Sequence, residues 1–432
     1  MAAVDTQIPA IPGERSQSLG DYLRNYGRRL AGGDLGALPA IGGLIVLCAV
    51  FTIARPKFFT PLNFANLFTQ GAAVTIIAMG LVFVLLVGEI DLSAGFASGV
   101  CATIMSVLLA QHGWPWYFAV LAALVTGVVI GLVLGSLVSL VKIPSFVVTL
   151  AAFLAFQGVQ LLFLKGGNAI TIPDDISSGR VINAIENKNL PVWLGWALLI
   201  VGVAVYLLLQ VLRRRGRLSR GLAADPFALI LIRSAALLLI AGIAVYFLSR
   251  ERSPNPPHVG FNGKTLGISV KGVPIVVLVI MVLFLVWTFV LGRTAYGRHL
   301  YAVGGNAEAS RRAGITVDRI RISAFVICSS MAAIGGIVAT SRLRSVDSNT
   351  GGSNVLLYAV GAAVIGGTSL FGGKGRVLDA LLGGAVIAVI DNGMGLMGYS
   401  SGVKYIITGV VLLLAAGVDA LTRRRAAASG LR

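Results

Sequence analysis

The sequence contains few charged residues and few residues that bind metals. Only 12% of its 432 residues are charged and 56% are hydrophobic, whereas soluble domains carry roughly 25% charged residues. Its three cysteines lie inside apolar runs, and its three histidines are scattered over predicted loops. This composition argues against a soluble enzyme, a disulfide framework and a metal centre, and no nucleophile–base pair indicates catalysis. We therefore predict that the protein is not an enzyme.

Acidic residues are fewer than basic ones. The chain has 17 acidic and 35 basic residues, for a net charge of +18. In a soluble protein this excess would suggest binding to nucleic acid. In a membrane protein, basic residues mainly set the orientation of the chain in the bilayer. Since the chain is so apolar, we predict contact with membrane lipid and no nucleic-acid partner.

Long apolar runs recur along the whole chain, and each can cross a hydrocarbon core of about 30 Å. They predict the fold class, an all-α polytopic membrane protein with about 12 transmembrane helices. The shortest or most glycine-rich runs are 94–110 and 354–371. The predicted spans are 37–54, 66–88, 94–110, 117–140, 146–164, 191–212, 227–249, 273–292, 320–341, 354–371, 377–395 and 403–421.

The distribution of Lys and Arg predicts the orientation. If the N-terminus lies in the cytoplasm, the inner segments carry 22 of the 35 basic residues and the outer segments carry 12. This bias predicts that both termini are cytoplasmic. The expected organisation is a cytoplasmic N-terminal tail (1–36), a single transmembrane domain (37–421) and a basic cytoplasmic tail (422–432). The first apolar run lacks an A-x-A cleavage signal, so we interpret it as a retained anchor.

Three glycines predict close helix packing. Gly127, Gly131 and Gly135 recur every four residues within the span 117–140. This spacing puts them on one helix face, where small residues allow a second helix to approach closely in lipid.

A short polar segment, GRHLYAVGGNAEASRRAGI (297–315), interrupts the apolar runs on the predicted cytoplasmic side. Asn306 can cap a helix, and Glu308 follows in the first turn, where a negative charge suits the helix dipole. Arg311 lies near the other end, and Gly314 can end the helix. The residues alone predict a very short helix, which is either an ordinary solvated loop helix or a docking surface.

The segment GGNAEASRRAGI resembles the cytoplasmic loop of carbohydrate-uptake ABC transporter permeases of the ribose/xylose/arabinose/galactose branch. Further segments match this branch in the right order, from about residue 60 to the C-terminus. An additional span with flanking polar loops, about 213–272, resembles the xylose-type permeases, so a ten-span core would carry an inserted helix pair. The matching segments are VGEIDLSAG (87–95), KIPSFVVTLAAFLAFQG (142–158), YAVGG (301–305), VIGGTSLFGGKG (364–375) and DNGM (391–394).

The resemblance implies a permease subunit that carries xylose or a related monosaccharide into the cytoplasm. It implies that 293–319 is a coupling loop that docks on a separate ATP-binding subunit. It also implies an extracytoplasmic sugar-binding protein and a permease homodimer in the plasma or inner membrane. The implied coupling residues are Gly305, Asn306, Glu308, Ala309, Arg311 and Gly314.

The chain itself is expected to bind no ATP and no other cofactor. A phosphate-binding loop has the pattern G-x-x-x-x-G-K-[ST]. The glycine-rich segment around Lys374 has Thr368 at the position of the first glycine and Gly375 at the position of the hydroxyl residue. ATP would therefore be hydrolysed by the partner subunit.

Two positions depart from the family pattern. Ser310 replaces the second Ala of the Glu-Ala-Ala core of the loop. Leu356-Leu357-Tyr358 stands where the family usually has an acidic Glu-Leu-Asp before Val-Ile-Gly-Gly. If those acids contribute to the pore, the selectivity of this chain differs from that of the family.

Acidic and amide side chains near apolar spans are candidates for a translocation pathway, because a charge at the bilayer centre costs roughly 3 kcal/mol. Glu89 and Asp91 follow the second span, where they either cap the next helix or mark a break in a helix that lines the pathway. Asp391 and Asn392 lie within an apolar run and either bind sugar hydroxyls or cross-link helices. Gln157 in the fifth span is open to the same two interpretations.

Two other classes of protein explain the apolar spans. An ion-coupled secondary transporter fits twelve spans with both ends inside, and Asp391 would be its ion-coupling carboxylate. A membrane scaffold or channel explains the spans but gives no role to the polar segment 297–315. The ABC permease explains both features, so we prefer it.

Overall fold

The computed structural model describes residues 38–222, 224–253, 256–259, 265–266 and 268–428, together with Gly20 and Arg24. Most of the predicted tail 1–36 therefore lies outside the described residues, as do the last four residues of the predicted tail 422–432.

Helices form most of the described chain, and its strands are two-residue segments. Strand β1 pairs antiparallel with β4, with Ile170 opposite Val346, and β2 pairs with β3. In chain order the elements are α1 Leu38–Ala54, a 3-10 turn Pro56–Phe59, α2 Pro61–Leu86, α3 Ala94–Ala110, α4 Trp116–Ser139, α5 Ser145–Phe163, β1 Ile170–Thr171, α6 Ser177–Asn187, α7 Val192–Leu218, α8 Phe227–Ser249, β2 His258–Val259, β3 Thr265–Leu266, α9 Ile275–Arg293, α10 Ala295–Gly305, α11 Ala307–Arg312, α12 Val317–Leu343, β4 Ser345–Val346, α13 Ser353–Gly366, α14 Val377–Leu396 and α15 Ser401–Ala428.

Each predicted span coincides with one of these helices, which confirms the all-α, polytopic class. In the described part of the chain, eight helices are long and apolar enough to cross a membrane: α2, α4, α5, α7, α8, α9, α12 and α14. Four further apolar helices are shorter, namely α1, α3, α13 and the first half of α15. The count of twelve crossings therefore stays a prediction.

The predicted span 354–371 is too long. Helix α13 ends at Gly366, because Gly367 adopts a left-handed conformation with φ +119°. At about 1.5 Å per residue, this helix is about 21 Å long and does not cover a full hydrocarbon core.

The core of the bundle consists of α2, α12 and α14, with α3, α4 and α13 packed against them. The predicted glycine face on α4 is confirmed as a packing face. A Cβ at Gly127 would lie 2.7 Å from the Ser329 carbonyl oxygen of α12, and one at Gly131 would collide with the α12 backbone at Val326. Only glycine permits this approach, so these positions fix how α4 lies on α12.

Helices α7 and α8 pack mainly against each other at the periphery. The end of α8 reaches the core through a small apolar cluster, in which Leu248 and Val273 contact Ala65 of α2. Of these two helices, α8 lies within the predicted inserted region 213–272, and the insertion itself stays a prediction.

The two ends of the bundle differ in charge. The starts of α7 and α9 lie side by side, because Leu190 N donates to Val273 O at 2.7 Å. Both helices are long enough to cross the bilayer, so both end on its other side, which puts the sequence RRRGRLSR (213–220) and Arg293 on one side. We call this the basic end, and the other the opposite end.

Candidate functional site

The polar segment at the basic end forms two short helices at an angle set by Asn306. Asn306 ends α10 in an extended conformation, and its Oδ1 accepts a hydrogen bond from Ala309 N at 2.9 Å. Gly314 has φ +85°, which ends the segment with a left-handed turn. The predicted cap, short helix and stop are confirmed, whereas the role of these residues stays a prediction.

Helix α11 presents charged groups to the surface. Glu308 pairs with Arg311 at 3.2 Å and with Arg312 at 3.3 Å, and all three side chains are more than half exposed. The neighbouring Ser310 is buried. Helix α11 therefore has one face seated on the protein and one face available to a partner.

Helix α10 seats this segment on the ends of two other elements. A Cβ at Gly304 would collide with the carbonyl oxygen of Leu86 and lie 2.7 Å from Gly373 N. Gly373 N itself donates to Leu86 O at 2.9 Å, and the Tyr301 hydroxyl donates to Gly375 O at 2.7 Å. A Cβ at Gly372 would lie 2.8 Å from Gly304 O and 3.0 Å from Gly88 N, so three segments singled out in the sequence, 87–95, 301–305 and 364–375, meet at one place.

Two ion pairs connect the start of α12 to the same region. The Glu89 carboxylate lies 3.3 Å from the Arg321 guanidinium, and both side chains are mostly buried. Lys142 Nζ lies 2.7 Å from Asp318 Oδ1, on the surface. A displacement of α11 would therefore reach α2, α12 and the loop before α14 through direct contacts.

Residues 87–93, between α2 and α3, are not helical, and this break extends into the interior of the bundle. Glu89 lies level with Arg321, whereas Asp91 lies beside Cys328, about two turns further along α12. Asp91 is fully buried, and its Oδ1 accepts hydrogen bonds from Ser93 N at 2.8 Å and Ser93 Oγ at 2.6 Å. Asp91 thus stabilises the turn before α3, whose N-cap residue is Ser93, and it lies in a break between two helices; its role stays a prediction.

A second irregular segment meets this break from the opposite side. Residues 347–352 enter the bundle before α13, and a Cβ at Gly95 would lie 2.7 Å from Gly351 O. Gln160 of α5 holds this segment, because its Nε2 donates to Asp347 O at 2.8 Å and to Thr350 O at 3.0 Å. Irregular backbone at membrane depth is tolerated only where protein surrounds it, and here it explains why α3 and α13 are short.

Asn392 occupies a helix cross-link near the opposite end. It exchanges two hydrogen bonds with Asn63, at 2.8 and 2.9 Å, and its Nδ2 also donates to Gln70 at 3.0 Å. The next residue back, Asp391, pairs with Lys404 of α15 at 3.2 Å and keeps 41% of its side chain exposed. The structure therefore gives Asn392 a cross-linking position and leaves Asp391 accessible.

Gln157 lies exposed on α5, among apolar side chains that are also exposed. Lipid offers an amide no hydrogen-bond partner. The position therefore favours contact with another subunit or with water over contact with lipid. The structure does not bring Gln157 together with Glu89, Asp91 or Asp391.

Comparison with known proteins places this architecture in a family. The family model described as "Branched-chain amino acid transport system / permease component" matches residues 63–416. The chain belongs to this permease family. It is a multi-pass protein of the cell membrane, and the resemblance seen in the sequence is confirmed.

Relatives of the permease span nearly its whole length. The xylose transport system permease protein XylH of Escherichia coli (strain K12) is 34% identical over 386 residues, which is 89% of this chain and 92% of the relative. The xylose transport system permease protein XylH of Haemophilus influenzae is 29% identical over 390 residues, 88% of this chain and 95% of the relative. The ribose import permease protein RbsC of E. coli (strain K12) is 29% identical over 380 residues, 87% of this chain and 91% of the relative. No solved structure matches the permease.

Two features of the permease were missed in the sequence. Phe371, in the glycine-rich loop beside α10, is 72% exposed at the basic end. Glu186, on the amphipathic helix α6, is buried at the opposite end. An apolar residue within the glycine-rich loop was a signal for the first. The second had no signal, since its burial depends on residues that are far away in the chain.

Proposed function

We propose that the chain is the membrane-spanning subunit of an ATP-driven importer that carries xylose or a related pentose or hexose into the cytoplasm. The observation that carries this proposal is the exposed helix α11, seated through α10 on the ends of the core helices. Such a helix suits a separate subunit that pushes on the bundle, and it has no evident use in a transporter driven by ion binding within the membrane.

The docking surface for an ATP-binding subunit would combine α11 with the adjacent glycine-rich loop. Glu308 and Arg311 supply exposed charge, and Phe371 supplies an exposed aromatic side chain. Aromatic and arginine side chains are enriched at the energetically important centres of protein interfaces. Gly305, Asn306, Ala309 and Gly314 would then act by holding the shape of the loop.

Force applied to α11 would reach the opposite end along two helices. Helix α2 runs from Leu86, beside Gly304, to Asn63, beside Asn392. Helix α12 runs from Arg321, paired with Glu89, past the buried break at Asp91. In the proposed cycle, ATP binding tilts these helices and opens the pathway towards a sugar-binding protein, and hydrolysis returns them and releases sugar inside.

The pathway would form between two copies of the chain. Gln157 is exposed on α5, and Asp391 keeps part of its carboxylate exposed although it pairs with Lys404. Polar groups at membrane depth are stabilised by facing a cavity or a partner. A homodimer that places these side chains on a shared, hydrated surface would satisfy both.

The proposed substrate follows from the xylose and ribose relatives and from one local departure. Leu356 is buried and packs on Gly95, and Tyr358 stacks loosely with Tyr405, with ring centroids 6.5 Å apart. The segment that is acidic in the usual family pattern is thus apolar here, with Leu356 buried and Leu357 exposed. We propose a neutral sugar as the substrate, with xylose as the preferred candidate.

Reconstituted uptake tests this proposal. Proteoliposomes that contain the chain, an ATP-binding subunit and a sugar-binding protein from the same organism should take up labelled D-xylose only when ATP and both partners are present. D-Ribose and D-galactose serve as competing substrates. Uptake that follows a proton or sodium gradient without ATP would contradict the proposal and indicate an ion-coupled secondary transporter.

Thiol labelling tests the proposed orientation. Ser219→Cys lies at the basic end and Asn168→Cys lies in the loop before β1 at the opposite end. In intact cells, an impermeant maleimide should label the second cysteine and leave the first unlabelled. Labelling of both from outside would contradict a cytoplasmic basic end.

A further inference from the structure

A polar cavity lies at the opposite end of the bundle, inside one chain. Its volume is about 320 Å³, within the range of roughly 300–1,000 Å³ that is usual for small-molecule sites. It is enclosed by the first turns of α2, the end of α6, the segment before α9 and the end of α12. Its polar lining is formed mainly by Asn66, Thr69, Glu186, Asn187, Arg252 and Arg342.

Two buried side chains in this lining each have one polar atom without a hydrogen-bond partner among the residues that the structure describes. Glu186 is 6% exposed, and its Oε2 has no hydrogen bond. Arg252 is 5% exposed; its Nη2 donates to Gly272 O at 2.8 Å, whereas its Nη1 has no partner. Buried polar groups in native proteins are almost always paired. Two unpaired groups on the wall of one cavity therefore point to a polar ligand.

The surrounding contacts hold these groups in place. The backbone of Glu186 is fixed to α12, because Glu186 N donates a hydrogen bond to Ser341 Oγ at 3.0 Å. Asn187 Nδ2 donates to Ser341 O at 2.7 Å and to Asn183 O at 3.0 Å. The amide of Asn187 is thereby oriented before any ligand arrives, as is usual in a preorganised site.

The wall of the cavity offers hydrogen-bond donors and acceptors together. Burial raises the pKa of the Glu186 carboxyl to about 9, so at neutral pH it carries a proton and can donate as well as accept. Arg252 follows Glu251, whose pKa is lowered to about 2 by hydrogen bonds from Val270 N and the Ser269 hydroxyl. Glu251 also pairs with Lys271 at 3.6 Å, and Arg342 lines the cavity beside Arg252. The wall therefore combines a protonated carboxyl group, amide groups and guanidinium groups.

We propose that this cavity binds one molecule of a neutral monosaccharide at the outer face of each chain. Carboxyl, amide and guanidinium groups match sugar hydroxyls, and Leu62 and Pro274 supply apolar wall for the C–H face of the ring. This inference rests on the proposed function, because it assigns an entry site to the same substrate.

The position of the cavity connects it to the basic end. Asn66 belongs to α2 and Arg342 to α12. Both helices contact α10, α2 through Leu86 beside Gly304 and α12 through Ser323, whose hydroxyl lies 2.9 Å from the Tyr296 hydroxyl. A movement of α11 would change the shape of the cavity. The bound sugar would be released into the pathway when the ATP-binding subunit moves these helices.

Protection of an engineered cysteine tests the site on the full-length chain in lipid nanodiscs. Thr69→Cys is a suitable reporter, because the Thr69 hydroxyl bonds to its own helix at Asn66 O and its loss removes no group from the ligand. Saturating D-xylose should slow modification of this cysteine by a small maleimide. Asn168→Cys, at the same end and outside the cavity, should be modified at the same rate with and without sugar.

Lining variants in the reporter background complete the test. Glu186→Met and Arg252→Met should each lower the apparent sugar affinity about tenfold, the loss expected when one buried hydrogen-bonding group is removed. Size-exclusion profiles show whether each variant is folded. If Arg252→Met does not fold, Glu186→Met still carries the test, because methionine is close to glutamate in size and removes only the polar end of the side chain.

The outcomes separate this inference from the proposed function. ATP-driven xylose uptake without protection of Thr69→Cys would overturn the cavity site and leave the proposed function intact. Protection by inorganic phosphate in place of sugar would overturn it as well, and would identify an anion site. Protection by D-xylose that is lost in both lining variants would support the site, even if reconstituted uptake failed.

Discussion

The central helices of this bundle are more buried than the peripheral helices, but they are not more apolar. The most apolar windows of α2 and α14 are 78% and 72% buried, whereas those of α7 and α9 are 6% and 11% buried. Yet α9 is the most apolar of the eight long helices and α14 is the least apolar. Lipid is as apolar as a protein core, so burial in this bundle does not require high hydropathy. The most apolar helices are instead those that face lipid.

Glycine distinguishes the two regions better than hydropathy does. A Cβ at Gly131 of α4 or Gly383 of α14 would collide with the backbone of a neighbouring helix. A Cβ at Gly202 of α7 or Gly292 of α9 would meet nothing within 4 Å. Close backbone approach is what holds the core helices together, and the peripheral helices do without it.

The largest expected effect comes from filling one of these approaches. Gly131→Leu should prevent assembly, because the side chain has no room between α4 and α12 and the helices cannot separate without losing the core. Gly202→Leu is the matched control on α7, where the new side chain would meet lipid. Membrane yield and size-exclusion chromatography of both variants measure the difference. Equal yields would break the comparison between core and periphery.

A smaller loss of stability is expected from the polar cross-link at the opposite end. Asn392→Leu leaves Asn63 and Gln70 with unmade hydrogen bonds at a buried place, at a cost of about 1–3 kcal/mol. The variant should unfold at a lower temperature than the wild type in the same detergent. An unchanged midpoint would show that these bonds contribute little to the core.

The neighbouring residue should affect transport and leave assembly intact. Asp391→Asn keeps the shape of the side chain and removes the charge that pairs with Lys404 on a partly exposed surface. We expect slower sugar uptake by a normally assembled complex whose ATPase activity still responds to the loaded binding protein. Failure to assemble would mean that Asp391 is a structural cross-link like Asn392.

A further effect concerns the pH dependence of stability at the opposite end. The folded pKa of Glu186 is raised from 4.5 to about 9 by burial. Below pH 4.5 the carboxyl is neutral in both states. Above it the unfolded chain ionises while the folded chain does not, so stability falls as the pH rises towards 9.

Thermal unfolding of Glu186→Gln checks this sign. The glutamine has no proton to lose, so between pH 5 and pH 8 the midpoint of the variant should fall less than that of the wild type. Asp175→Asn, an exposed carboxylate in the same outer region, should leave the pH dependence as it is in the wild type. If the unfolding midpoint of the wild type rose towards pH 8 relative to that of Glu186→Gln, the raised pKa assigned to Glu186 would be wrong.

The sequence predicts those parts of the structure that depend on neighbours along the chain. Asn306, Glu308 and Gly314 define a short capped helix by local hydrogen bonds and backbone conformation, and they form it. Hydropathy predicts the positions of the spans well, because the thickness of the hydrocarbon core sets a similar minimum length for each apolar run that crosses it. The spacing of Gly131 and its neighbours identifies a packing face, though not the helix that packs there.

The parts that escaped prediction depend on contacts between distant segments. The short α3 and α13 result from two irregular segments that meet at Gly95 and Gly351, and neither segment alone indicates a partner. The pairing of Asn63 with Asn392 joins residues 329 positions apart. The cavity around Glu186 needs four separate segments, so no local pattern signals it.

The most direct test of the central claim is ATP-driven xylose uptake by Glu308→Lys. Reversing this charge opposes the dipole of α11 by about 0.3–1 kcal/mol and repels Arg311 and Arg312, which are now its partners. Since all three side chains are exposed, the chain should still fold and insert. Asp175→Lys is the matched control, an exposed charge reversal at the other end. The account predicts that Glu308→Lys abolishes uptake and binding of the ATP-binding subunit while Asp175→Lys transports normally; wild-type uptake by Glu308→Lys would contradict it.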